Sequence, residues 1–184
     1  MNKDLRALAD EYWEHVLNTN PTNAHMLGDY RYIDRFENVS REAEDAEIAA
    51  NRAFADRARS FRTSDLSSAD RTTQETLIYE AESSAAVSEM RQGEFGIDPI
   101  FGPQVVADVL IPQMTVETAE HAEGMLEKFD SFAQMLDQSA QRLREGIANG
   151  RVNAEFAVTK AVGQLDAVIA APVENSPFLK AQIP

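Results

Sequence analysis

Nearly the whole chain is written in one period: apolar or small residues recur three and four positions apart, so segment after segment presents a single stripe of an α-helix. Asp4 to Asn18 aligns Leu5, Leu8, Tyr12, Val16 and Leu17. Pro21 suits the first turn of a short helix ending near Gly28. From a Ser40 N-cap to about Arg62 the stripe is Ala43, Ala46, Ala50, Phe54, Ala58 and Phe61, small enough for close helix approach. Ser67-x-x-Asp70 resembles a capping box with Asp in place of Glu, and it opens a helix to about Gln92 lined by Leu77, Ala81, Ser84 and Ala85. Thr115 is expected to cap a helix carrying Ala119, Ala122, Leu126 and Phe129. Asp130 and Ser131 offer a fresh N-cap and predict a hinge, after which Phe132, Leu136, Ser139, Leu143 and Ile147 continue the stripe to Gly150. Asn153 opens a last helix with Val158, Ala161, Val162, Leu165 and Ile169 inward, stopped by Pro172.

Two regions depart from that period. Asp29 to Val39 reads as a connecting loop with aromatic anchors. Residues 93–114, GEFGIDPIFGPQVVADVLIPQM, carry three Gly and three Pro with β-branched residues between them. This stretch is expected to be extended, with one short strand or turn around Val105 to Ile111, and a connection of such length is often functional. The tail from Val173 to Pro184 also reads as extended. The expected architecture is therefore all-α: six to seven helices in an irregular bundle with one long extended loop at about 93–114, forming a single helical domain over 1–184.

Composition narrows the chemistry. The 184 residues carry 17 basic and 31 acidic side chains, a net charge of −14, and no cysteine. No disulfide framework, thiolate zinc site or cysteine nucleophile can be built from such a chain. There is no basic surplus to neutralise phosphates, which argues against nucleic acid, and an acidic surface repels anionic membranes. The longest apolar run, Val105 to Pro112, is interrupted by Asp108 and is far short of the ~20 residues of a membrane span. Met1 to Leu5 contain no apolar core of a secretory signal, so a cytoplasmic protein is the plain expectation.

The motifs of common active sites are missing from the sequence. His15, His25 and His121 are followed by Val, Met and Ala, so no H-E-x-x-H exists; Tyr12, Thr22 and Thr118 precede them by three, so no E-x-x-H exists either. Glu117 and His121 stand four apart and are expected to form a surface acid–histidine pair, while His15 flanks the first apolar stripe as a boundary residue. Serines concentrate at helix starts, where capping accounts for them, and no Gly-rich phosphate loop is present.

Several stretches in order are similar to the N-terminal part of a large bacterial family, long catalogued as a domain of unknown function and regarded as zinc metallopeptidases. They are ADEYWEHVLNTNPTNAHMLGDYRYIDRF, then IDPIFGPQ (similar to the family's Asn-Pro-Leu-Gly-Gly-Pro turn), a Thr-capped helix, QRLREGIANGRV, and ENSPF. The resemblance implies a mostly helical peptidase whose zinc is held by a downstream H-E-x-x-P-G-H helix and a further Glu, the intervening Glu activating water against a peptide carbonyl. The sequence reaches Pro184 without that motif. No catalytic or metal-binding residue carries over, and zinc is expected only in a complete family member. Gly102, Pro103 and Gln104 are the candidate cleft-lining residues, with a tight structural turn as the plainer role.

Two functions stay open at this stage. In the first, the chain is a truncated or separately encoded N-terminal region that packs against a missing C-terminal catalytic region, or meets the complete enzyme's peptide substrate, and is inactive alone. In the second, it is an autonomous acidic helical module that binds a basic protein partner.

Overall fold

A computed structural model describes residues 2–181, so the last three residues of the expected extended tail lie outside the described residues. The fold is all-α. Its helices are α1 (Lys3–Thr19), α2 (Pro21–Met26), α3 (Arg41–Arg59), α4 (Ser68–Glu89), α5 (Val106–Val109), α6 (Ala119–Ala148) and α7 (Glu155–Ala170), joined by short 3-10 turns. No strand occurs among the described residues. No helix among them is long and apolar enough to cross a membrane. The chain divides into two compact units, one formed by Met1–Thr19 and Arg41–Gln92, the other by Asn20–Ser40 and Gly93–Pro184.

In the first unit α1, α3 and α4 share a core of Leu8, Phe54, Ala55, Ala58, Leu77 and Ala81. The alanines let α3 and α4 pack closely, and the buried face of α3 keeps Phe54 and Ala58 of the predicted stripe and adds Ile48, Asn51 and Ala55. Helix ends are closed by side chains. Asn2 Oδ1 accepts the Asp4 and Leu5 amides, and Ser67 Oγ accepts the Asp70 amide at 3.2 Å. Asp70 takes the Ser67 hydroxyl at 2.7 Å and the Asn2 amide at 3.1 Å, and the hydroxyl holds its carboxyl below the ordinary carboxylate range. Buried Gln74 donates to the carbonyls of Ala58 and Phe61 and so ties α4 to the end of α3. Arg91, just past α4, adopts φ +56°, a left-handed conformation usual for glycine, and its guanidinium reaches Glu44 and Asp45 at 2.6 and 2.5 Å.

The second unit is built on α6. Its core is Ile33, Phe36, Ala107, Ile111, Met114, Met125, Phe132 and Met135, with Phe178 of the C-terminal segment edge-on to Phe129 and Phe132. Several expectations are corrected here. The cap of α6 is Thr118, whose hydroxyl accepts the His121 amide; Thr115 is engaged elsewhere, its hydroxyl on Tyr30. The hinge at Asp130 does not form, and α6 runs unbroken for 30 residues. Ser131, read as a cap, instead donates to the Lys128 carbonyl and accepts the Phe36 amide, both at 2.7 Å, so its oxygen ties a loop to the helix flank.

Residues 93–114 are not extended either. They wind through turns at Gln92–Glu94 and Pro103–Val105, then α5, then Ile111–Gln113. Pro103 and Pro112 sit in the first turns of these pieces, where their fixed φ favours helix and their missing N–H costs nothing. Of the β-branched residues between them, Val105 and Ile111 are buried and Val109 is exposed. Asn153 does not cap α7; its Oδ1 accepts the Ile97 amide, and Ala154 occupies the cap position. The predicted inward face of α7 is largely exposed: Ala157 and Ala161 are buried, whereas Val162, Leu165 and Ile169 are open to solvent. Gly150 closes α6 as expected, at φ +72°, with the Arg151 amide returning to the Gly146 carbonyl.

Candidate functional site

Within the second unit, the 93–106 segment, the 37–39 loop and one flank of α6 enclose a cavity of about 270 Å³. Its wall is mainly apolar, from Val39, Ile97, Pro103, Val106, Met135 and Leu143. Phe101, also on the wall, is 87% exposed and stands at the mouth. Three polar side chains complete the lining: Glu37, Ser139 and Arg142.

Each of these polar groups is already engaged. Glu37 accepts the Thr22 amide at 2.9 Å and the Thr22 hydroxyl at 2.8 Å. Ser139 donates back to the Met135 carbonyl. Arg142 is only 1% exposed; its Nη1 meets Glu145 at 2.9 Å and its Nη2 lies 3.9 Å from Glu94. Glu94, as deeply buried, takes Arg151 on its other oxygen at 2.9 Å. Two carboxylates and two guanidiniums thus form a chain behind the cavity, and burial of such charges is tolerable because each has an opposite partner. Gly146 makes the arrangement possible: a Cβ there would fall 1.9 Å from the Glu94 carbonyl oxygen, so α6 and the Gln92–Glu94 turn could not approach if it were larger.

The candidates Gly102, Pro103 and Gln104 form the turn that shapes the cavity's edge. Pro103 lines the cavity. Gly102 donates its amide to the Asp98 carbonyl, and a Cβ on it would stand 2.4 Å from that oxygen and 2.3 Å from Gln104 Oε1. Gln104 is buried, its Nε2 shared between the Asp98 carbonyl at 2.8 Å and Gln164 Oε1 at 3.1 Å, while Gln164 donates to the Pro99 carbonyl. Gln104 and Gln164 therefore pin the turn to α7. The structure brings together two stretches that are far apart in sequence, IDPIFGPQ and QRLREGIANGRV: Ile97, Phe101 and Pro103 come from the first, Arg142 and Leu143 from the second. Arg142 escaped sequence reasoning because helical period assigns charged residues to solvent, and Glu94 because it lies in the aperiodic 93–114 stretch. The one available signal was Gly146, a glycine inside a helix four residues beyond Arg142.

Two further groups carry shifted proton equilibria. Lys128 is fully buried, donates to the Arg35 carbonyl at 2.5 Å and lies 4.6 Å over the Phe36 ring. Burial pulls its amine down to about 8, against the opposing pull of Glu37 and Asp34. His25 is also buried, with Nε2 2.8 Å from the Thr115 carbonyl, and burial holds its pKa below the usual histidine value. Beside it, Tyr30 donates to the Glu117 carboxylate and stacks on His121 at 4.1 Å, while the contact between Glu117 and His121 runs from the Glu117 backbone amide to Nδ1 at 3.4 Å rather than through the expected acid–histidine pair. His15 stands 2.8 Å from Glu47 without hydrogen-bond alignment, at the edge of the first unit's core. Among the described residues no group of three His, Asp or Glu side chains converges that could hold a metal ion.

What these features define is a helical protein with a preformed apolar cavity and a buried charge network behind it. A family model described as "Bacterial protein of unknown function (DUF885)" matches residues 21–183, and the chain belongs to that family. A comparison with curated proteins finds no match.

Proposed function

We propose that residues 1–184 are a non-catalytic helical region of a zinc-dependent peptidase, which supplies scaffold and one wall of the substrate cleft. The observation that carries this reading is the cavity: two stretches that resemble the N-terminal part of the metallopeptidases meet at it, and Pro103 and Phe101 form its outer edge. On this reading zinc and the water-activating Glu come from the catalytic region, and this chain's residues shape and desolvate the place where substrate lies. The exposed apolar residues of α7, among them Val162, Leu165 and Ile169, fit a surface that another segment covers. They fit less well with an autonomous acidic module, whose surface should be closed. A cytoplasmic location belongs to the same proposal and rests on the cysteine-free, acidic composition.

The test pairs the purified chain with a family member's segment bearing the H-E-x-x-P-G-H helix. Chelator-sensitive peptide cleavage is expected from the mixture and not from the chain alone. Stoichiometric zinc or chelator-sensitive hydrolysis by the chain alone, or no gain in the mixture, overturns the proposal.

A further inference from the structure

We propose that the cavity between the 93–106 segment and α6 is a binding pocket for one uncharged apolar side chain, branched or aromatic, of an extended peptide. Volume sets the size of the guest. An apolar cavity of about 150 Å³ admits benzene, so about 270 Å³ takes a leucine, methionine or phenylalanine side chain with room left over. The wall sets its polarity. Val39, Ile97, Val106, Met135 and Leu143 offer dispersion contacts only. Glu37, Ser139 and Arg142 already have protein partners on hand, so a charged guest would lose its hydration without gaining a free counter-charge.

The mouth indicates that the guest belongs to a longer chain. Apolar surface does not stop at the opening: Phe101 is 87% exposed, and the preceding Ile100 is 65% exposed. A free hydrocarbon would fill the hole and leave that strip bare, whereas a peptide can seat one side chain and lay its neighbours along Ile100 and Phe101. The pocket is held ready, because Gln104 and Gln164 pin the turn beneath it and the Glu94–Arg142 network braces its back. The peptide assignment rests on the reading of the chain as a cleft wall, but its test needs neither zinc nor catalysis.

The experiment is a titration of the full chain, carrying 13C-methyl methionine, with the blocked tripeptide acetyl-Gly-Phe-Gly-amide. Met135 lines the cavity and Met125 lies in the core away from it, so the two methyls serve as reporter and control. Expected is a saturable shift of the Met135 methyl with Met125 unmoved, no shift with acetyl-Gly-Asp-Gly-amide, and weaker binding of toluene than of the peptide. Phe101→Ala, an exposed position that should leave folding intact, is expected to weaken the peptide about five-fold and toluene hardly at all. Val106→Trp, which fills the cavity, should abolish both shifts. Absence of a Met135 shift with the peptide, equal shifts with the Asp peptide, or toluene binding as tightly as the peptide overturns the proposal. A pocket that binds while the reconstituted mixture fails to cleave leaves this inference standing and removes the peptidase reading; the reverse outcome does the opposite.

Discussion

Lys128 should make the protein more stable as the solution turns alkaline, the reverse of what an acidic chain ordinarily does. Its ammonium is fully buried against the Arg35 carbonyl and the Phe36 ring, and burial lowers its pKa from 10.5 to about 8. Below pH 8 both the folded and the unfolded chain carry the proton, and the folded state bears the whole cost of a charged lysine in its core. Between about 8 and 10.5 the folded protein releases the proton while the unfolded chain keeps it, so the unfolded state binds more protons and stability rises with pH. At about 1.4 kcal/mol per pKa unit, the full window is worth about 3 kcal/mol, most of it gained between pH 7 and pH 10. The assay is urea unfolding of the wild type and Lys128→Met at both pH values. Methionine keeps the length of the stem and removes the titration, and every other group contributes to both proteins alike. Tyr12, for instance, is raised by burial, so it withdraws stability as pH climbs past 10, in both. The wild type should therefore gain about 2–3 kcal/mol relative to the variant on going from pH 7 to pH 10. If the two respond alike within about 0.5 kcal/mol, Lys128 titrates normally and the buried-amine argument is wrong.

Three further outcomes follow from the packing. Gly146→Ala, which in an exposed helix would gain about 1 kcal/mol, should instead cost about 3 or more, because the new Cβ overlaps the Glu94 carbonyl; thermal and urea unfolding measure it. Glu94→Gln removes the carboxylate shared by Arg142 and Arg151 and should cost about 3–5 kcal/mol by urea unfolding, leaving buried guanidinium charge poorly compensated. Arg91→Gly relieves about 1 kcal/mol of left-handed strain but gives up the Glu44 and Asp45 contacts; it should lie within about 0.5 kcal/mol of wild type at low salt and turn stabilising at 1 M salt, read from the urea midpoint.

The candidate site was half legible. Residues 93–114 announced themselves by three Gly and three Pro in a chain otherwise helical by period, and Pro103 does edge the cavity. The conformation there was not legible, because β-branched residues become strand only when a neighbouring strand accepts their amides, and no strand occurs among the described residues. Arg142, Glu94 and Lys128 were hidden for a different reason. A period assigns a residue to a face from its own chemistry, whereas a charged side chain becomes buried through a partner many positions away: Arg151 for Glu94, the Arg35 carbonyl for Lys128.

Sequence alone determined the all-α class, because helical period is a local property that each turn restates. It likewise placed α1, α2, α3 and α4 to within about three residues, since Pro21 and Ser67 open α2 and α4 and the apolar stripes run their full length. Tertiary structure decided that α6 would run unbroken past Asp130, which face of α7 would be covered, and which polar atoms would do structural work. Ser131 shows why. The same hydroxyl can cap a new helix or accept an amide from a distant loop, and the choice went to Phe36, whose ring packs on Phe132 one residue further along α6. A cap contributes about 1 kcal/mol, less than the burial of two aromatic rings, and so the long-range contact overrode the local signal.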